Sequence, residues 1–239
     1  MLPKASLLVS QSLLGAMGTR IFVQNENRIP HEAGAVIVAS NHRSFMDAPL
    51  LIQALEQPIR VACHHYMSQT PILKQFVDLL GCLPLDEPKK RQQHFFEQAT
   101  QLLQSRQWVG IFPEGAGPML QLTKPREVSR FQRGFAHLAL KAAIPDLAVL
   151  PVAIASEEES VISSIPVRLL YLFDPSEPLF DRAGSHPMVI YRRVNVLIGR
   201  PYWISERQRQ HYRGKGAKQL VSEINDYCRQ EITQLLQSG

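Results

Sequence analysis

Two polar residues in the stretch VASNHRSFMDAPLL, residues 38–51, are of types that can do chemistry together: His42 and Asp47. A carboxylate that accepts a hydrogen bond from one ring nitrogen of a histidine fixes its tautomer. The other nitrogen is then free to take a proton, and the imidazolium that forms is stabilised. Such a pair needs no serine nucleophile if it activates a hydroxyl on the substrate. On a straight α-helix, positions five apart differ by about 140° of rotation, so the two would point to different faces. They meet only if the segment between them is a loop. A structural reading of the same residues stands beside this one. Asp47 before Ala48-Pro49 suits a helix N-cap, worth about 1 kcal/mol, and Ser44 with Asp47 fits a capping box. A histidine in a loop is often simply solvated. The spacing alone leaves both readings open.

A second stretch, VGIFPEGAGP at residues 109–118, has the same layout of an apolar run followed by polar and small residues. Gly115 and Gly117 permit close backbone approach to a ligand, and their N–H groups can face an anion. A tight turn with an exposed Glu114 explains the same residues. Lys124, Arg126, Arg130 and Arg133 follow. They form either a phosphate site or a solvated face. Cys63-His64-His65 are adjacent and have no partner cluster, which is poor spacing for a metal, so none is expected. His31, His94, His137, His186 and His211 have no partner that the sequence identifies.

The elements that must position these residues alternate along the chain. TRIFVQ (19–24), GAVIVAS (34–40), IRVACHH (59–65), WVGI at the start of 108–117 and AVLPVAIA (148–155) read as strands. Of these, 34–40 is apolar enough to be buried on both faces. APLLIQALE (48–56), TPILKQFVDLLG (70–81), QQHFFEQATQLLQSRQ (92–107) and RFQRGFAHLALKAA (130–143) read as helices, with Gly81 as a stop. CLPLDE is a short strand or turn. Residues 156–187 are rich in turn formers, with VRLLYLF a strand among them, and 188–201 read as a strand near the sheet edge. A closing amphipathic helix, 216–237, carries Leu220, Ile224, Tyr227, Cys228, Ile232 and Leu235 on one side. The alternation predicts an α/β fold, a single domain over 1–239, with a mainly parallel, mixed-edge sheet flanked by helices. His42 then falls just beyond a strand's carboxyl end, where ligands gather in open parallel sheets. Pro49 falls in a helix's first turn, where its missing N–H costs nothing.

Composition narrows the class. With 239 residues, 45% apolar and 20% charged, the chain can bury a sizeable core. A net charge of +5 suits an anionic membrane, an anionic substrate or nucleic acid. No nucleic-acid motif or concentrated basic tract supports the last. Cys63, Cys82 and Cys228 are odd in number and far apart, which fits a reducing compartment rather than a disulfide framework or a zinc site. Residues 1–18 form an amphipathic helix, with Leu7, Leu8, Leu14 and Met17 on one face. It is too short and polar to span a bilayer and lacks the layout of a signal peptide. It either packs on the domain or lies in a membrane interface.

Taken together, the stretches resemble a known family. SNHRSFMD is similar to the N-H-x4-D box of the glycerolipid acyltransferases of the 1-acyl-glycerol-3-phosphate (lysophosphatidate) type, and FPEGAGP to their F-P-E-G-T-R-S box. LGCLPLDE (80–87), FQRGFAHLALKA (131–142) and AVLPVAI (148–154) resemble the remaining blocks, in order. The likeness covers about residues 20–156, with a weaker echo in VNVLIGRPYWI. It implies that His42 deprotonates an acceptor hydroxyl and that Asp47 orients His42. The alkoxide attacks an acyl thioester of acyl carrier protein or coenzyme A, and backbone donors near the boxes stabilise the oxyanion. Asn41, Ser44, Phe112, Pro113, Glu114, Gly115, Lys124 and Arg133 are the implied substrate-binding residues. On composition alone, Trp108 and Phe112 read as core. The resemblance implies no cofactor beyond the thioester co-substrate, a lipid acceptor, and a cytoplasmic enzyme peripherally associated with the membrane. It also implies phosphatidic acid as the product, in phospholipid biosynthesis.

The chain departs from the family pattern at two cations. Ala116-Gly117-Pro118 stands where Thr-Arg-Ser is usual, and Glu87 where arginine is usual. Lys89, Lys90, Arg91, Lys124 or Arg133 can compensate, or the acceptor is a phosphate-free glycoside, polyol or isoprenoid lipid. A non-catalytic anionic-lipid-binding protein is the third expectation.

Overall fold

The computed structural model describes residues 3–63, 71–84, 91–115, 117–118, 123–166 and 185–239. Among them, eight strands form one sheet: β1 (Arg20–Gln24), β2 (Ala35–Ser40), β3 (Ile59–Cys63), β4 (Leu83–Pro84), β5 (Trp108–Ile111), β6 (Leu147–Pro166), β7 (Ser185–Ile198) and β8 (Tyr202–Trp203). The order is β1-β7-β6-β2-β5-β3-β4, with β8 also on β6. The pairs β2–β5, β2–β6, β3–β5, β3–β4 and β1–β7 are parallel, while β6–β7 and β6–β8 are antiparallel. The expected α/β sheet, mainly parallel and flanked by helices, is what forms.

Strand β2 is buried at every position, which its apolar sequence demands. Its side chains alternate between two cores. Ala35, Ile37 and Ala39 face a cluster containing Leu103, Phe135, Ile224 and Ile232. These come from helices α4 (Arg91–Gln104), α5 (Gly134–Lys141) and α7 (Gly214–Ser238). Val36 and Val38 face Leu14, Leu50, Leu51 and Leu80, from α1 (Pro3–Ala16), α2 (Asp47–Ala54) and α3 (Pro71–Leu80). Helices on both faces let a parallel strand shed solvent on both sides. A short helix α6 (Glu206–His211) precedes α7.

Strand β7 lies between the edge strand β1 and β6, near the sheet edge as expected. Two sequence expectations change here. The turn-rich stretch after 155 instead prolongs β6 to Pro166. Its polar residues are tolerated because this part pairs with β7 beyond the end of β2, and register shifts around Glu158 absorb the irregularity. In α1 the most buried residues are Ser6, Ser10 and Leu14, while Leu8 is 61% exposed. The helix packs on α2 and α3, as one of the two expectations held. Among the described residues no helix is long and apolar enough to cross a membrane. VRLLYLF, Glu87, His64, His65, Lys89 and Lys90 lie outside the described residues.

A cavity of about 570 Å³ opens between α1, β1 and the carboxyl end of α2, lined by Leu14, Ile21, Ile29, Gln53 and Glu56 among others. None of its lining residues belongs to the His42 loop.

Candidate active site

Strands β2 and β5 run parallel, with Ala39 opposite Ile111. Carried three residues further, this register sets His42 beside Glu114, and the two are joined: the His42 backbone N–H donates to Glu114 Oε1 at 3.1 Å. Both stretches singled out by sequence therefore meet at the carboxyl ends of adjacent parallel strands, the place where such sheets bind ligands.

Between His42 and Asp47 the chain is a loop. His42 Nδ1 lies 2.8 Å from Asp47 Oδ2. The same oxygen accepts the backbone N–H groups of Arg43 at 2.7 Å and Ser44 at 2.8 Å. Asp47 thus ties its own preceding loop into a ring. Asp47 is not the N-cap, and of the Ser44–Asp47 capping box only the Ser44 N–H to Asp47 half forms. Asp47 is the first residue of α2, Met46 stands at the N-cap, and no side chain caps the helix. Pro49 sits in the first turn, where it removes no helical hydrogen bond. Asp47 is fully buried, and the His42 side chain is 15% exposed. With Nδ1–H donating to Asp47, Nε2 is the nitrogen left to accept a proton. The imidazole stacks on Phe112 at 4.0 Å with 10° between the planes, so Phe112 supports the ring rather than serving only as core.

The other oxygen of Asp47 accepts the Tyr191 hydroxyl at 2.9 Å. Tyr191 is on β7 and completely buried. Burial, reinforced by the Asp47 charge, pushes its phenol well above the usual range, so it stays a donor. Arg43, beside His42, points the other way and forks onto Glu159 of β6 at 2.8 and 3.0 Å; its Nε–H donates to the Thr123 carbonyl at 2.9 Å. Burial alone would lower the Arg43 guanidinium and raise the Glu159 carboxyl. Their mutual hydrogen bonds and charges outweigh it, so Arg43 is raised and Glu159 lowered from their ordinary values.

The remaining expected residues divide into three groups. Asn41 and Ser44 serve the scaffold. The Asn41 amide donates to the Ile154 carbonyl at 2.9 Å and accepts its N–H at 2.8 Å. Ser44 Oγ donates to the Val189 carbonyl at 2.6 Å and accepts from Met46 N–H at 3.1 Å. Pro113, Glu114 and Gly115 form the turn after β5. Pro113 accepts Gln132 N–H at 2.8 Å. Glu114 Oε2 accepts Ser129 N–H at 2.6 Å and the Ser129 hydroxyl. Gly115 has φ +70°, the left-handed region that glycine enters without a Cβ penalty. These bonds hold residues 129–132 against the turn, which is why α5 begins at Gly134 and not at 130. Lys124, by contrast, is 81% exposed and pairs with Glu127 at 3.2 Å. Arg133 is exposed at the start of α5, next in the chain to Gln132. Nothing in the structure joins either cation to the His42–Asp47 pair. Among the described residues, no group of His, Cys, Asp and Glu could hold a metal ion.

Sequence reasoning passed over Tyr191, Glu159 and Ser129. One signal was present for Tyr191: a tyrosine within a buried strand needs a partner for its hydroxyl.

The profile of the acyltransferase family matches residues 20–155, more than half of the chain. A probable 1-acyl-sn-glycerol-3-phosphate acyltransferase of Mycoplasma pneumoniae is 25% identical over 134 residues, which are 54% of this chain and 47% of that protein. The matched part thus spans about half the length of that curated relative. The crystal structure of the 1-acyl-sn-glycerophosphate (LPA) acyltransferase PlsC from Thermotoga maritima superposes with a TM-score of 0.62 at 16% identity. That match covers 98% of this chain and 78% of that one, and it shows a shared fold. The histidine and carboxylate on one loop, the glutamate turn beside them and the matching family profile lead to one conclusion: this chain belongs to the acyltransferase family and is related to the 1-acyl-sn-glycerol-3-phosphate acyltransferases.

Proposed function

We propose that the protein moves a fatty acyl group from an acyl thioester to a hydroxyl of a glycerolipid acceptor. The acceptor is 1-acyl-glycerol-3-phosphate and the product phosphatidic acid. The observation that carries this reading is the 2.8 Å contact of His42 Nδ1 with buried Asp47, with no serine or cysteine nucleophile needed. In this reading Nε2 takes the proton of the acceptor hydroxyl as its oxygen bonds to the thioester carbonyl carbon. The tetrahedral intermediate collapses, the carbon–sulfur bond breaks, and the leaving thiolate takes the proton from the imidazolium. Asp47 stabilises that cation while it lasts. The donor is the thioester of acyl carrier protein or coenzyme A, and the lipid acceptor brings the enzyme to the cytoplasmic membrane surface. A net charge of +5 supports the last point.

Gly117 supports a second reading. It stands where the family pattern has an arginine, and among the described residues nothing lies within 4 Å of where its Cβ would be. A phosphate-free hydroxylated lipid fits a site lacking that cation. One experiment tests both. Wild type and His42→Ala are incubated with acyl carrier protein and coenzyme A thioesters over a panel of acceptors, and products are identified by mass. Transfer to lysophosphatidate, lost in His42→Ala with folding intact, is the expected result. Undiminished transfer in His42→Ala sinks the mechanism. Transfer only to phosphate-free acceptors moves the substrate to the second reading.

A further inference from the structure

We propose that Tyr191 is a positioning residue for the reaction: its hydroxyl holds the second oxygen of Asp47, so that the first stays aimed at His42. The proposal rests on the reading of His42 as the general base. Asp47 is fully buried, and every donor that it receives can be named. Oδ2 takes His42 Nδ1–H and the N–H groups of Arg43 and Ser44, while Oδ1 takes the Tyr191 hydroxyl. The first three donors belong to the loop that Asp47 closes. Among the described residues Tyr191 is the donor that comes from elsewhere, 144 positions along the chain. It ties the loop to the sheet. A carboxylate with an unpaired buried oxygen can rotate about its last bond or bind a proton, and either weakens the grip on His42.

The groups around His42 set the direction of the effect. Asp47 comes from α2, Glu114 from the turn after β5, Glu159 with Arg43 from β6 and the loop, and Tyr191 from β7. Removing the Tyr191 hydroxyl loosens the Asp47 carboxylate from the imidazole. The protonated ring is then less favoured, so His42 loses its proton at a lower pH than before.

Tyr191→Phe keeps the ring that fills the core and removes only the hydroxyl. The expected result is a kcat lower by about ten- to a hundredfold, the worth of one hydrogen bond to a charged group, at unchanged KM. The acid limb of the kcat/KM profile moves to lower pH. In the Asp47→Asn background the Phe change has no further effect on kcat, because the charge that it served is gone. NMR titration of the ¹⁵N-labelled His42 ring reads the same shift without any turnover. A lowered titration in Tyr191→Phe with no acyl transfer by wild type keeps the proposal and removes the transferase reading. Unchanged kcat and unchanged ring titration in Tyr191→Phe overturn the proposal. So does an equal loss in both backgrounds accompanied by a lower Tm, which would mark a purely structural role.

Discussion

Glu159 and Tyr191 face one another across the β6–β7 ladder, and both reach back to the same loop. Glu159 grips Arg43 and Tyr191 grips Asp47. The two residues on either side of the ladder thus hold the loop on which His42 lies from one wall. The register shifts next to Glu159 bend and twist β6 at this point, as bulges do where a strand must re-aim a side chain.

Breaking the Arg43–Glu159 pair from one side leaves a charge without its partner. Arg43→Ala is expected to cost about 3 kcal/mol of stability, the scale for breaking a buried ion pair. Adding Glu159→Ala should cost far less than that residue costs alone. Urea unfolding of both single variants and the double variant checks this, and additive losses would show that the pair is not coupled.

Glu159 also makes stability depend on pH in a defined window. Its folded value lies below its ordinary 4.5 because the hydrogen bonds and charge of Arg43 outweigh burial. The unfolded chain therefore binds the proton first as pH falls. The stabilisation is complete above 4.5 and is lost as pH drops through the lower folded value. Denaturation curves from pH 6 down to pH 3 should show a shallower fall for Glu159→Gln than for wild type. Identical slopes would mean that this carboxyl does not contribute.

Glu114 receives His42 N–H on one oxygen and the Ser129 N–H and hydroxyl on the other. It acts as a bracket between the two motif-bearing turns. Glu114→Ala leaves these donors unmet and should cost about 2–4 kcal/mol. It should also lower kcat, since His42 loses its backbone anchor. Thermal unfolding and acyl transfer are expected to fall together. Activity lost at full stability would instead place Glu114 on the substrate.

Gly117→Arg tests the acceptor. Among the described residues a Cβ added here meets nothing within 4 Å, so a side chain can leave the backbone at this position. Turnover of a phosphate-bearing acceptor should rise relative to its phosphate-free analogue by about tenfold or more, the worth of a charge-assisted bond to phosphate. An unchanged ratio would place the acceptor's head group away from this turn.

The parallel core was legible because each of its strands is short and carries its own apolar pattern. β2 and β5 both run straight into a polar stretch, and that put His42 and Glu114 at the right edge. The extension of β6 was not legible. SEEESVISS has the composition of a turn, and only pairing with β7 makes it a strand. Arg192, Arg193 and Asn195 placed β7 near the edge, and it lies one strand in from it; Arg192 reaches the Met17 carbonyl at 2.7 Å and Asn195 reaches Glu157 at 3.3 Å, so both polar side chains are satisfied beside the edge strand. Within the site, spacing permitted the local His42–Asp47 pairing but left the capping reading open, and the two boxes together favoured the pair. The anchors of that pair could not be read, because local pattern carries no information about contacts made across such distances.

The family profile ends at residue 155, while Glu159, Val189 and Tyr191, which fasten the His42 loop, all lie beyond it. This has a consequence for the order in which the molecule matures. Contacts between distant parts of a chain form late, because loop closure must be met before they return anything. A chain still emerging from synthesis holds every motif of the site well before it holds β7. Until that strand zips onto β6, water rather than Tyr191 meets the second oxygen of Asp47, and the loop lacks this tie to the sheet. On the proposed mechanism the nascent polypeptide is expected to transfer no acyl group until β7, one of the last strands to be made, has joined β6.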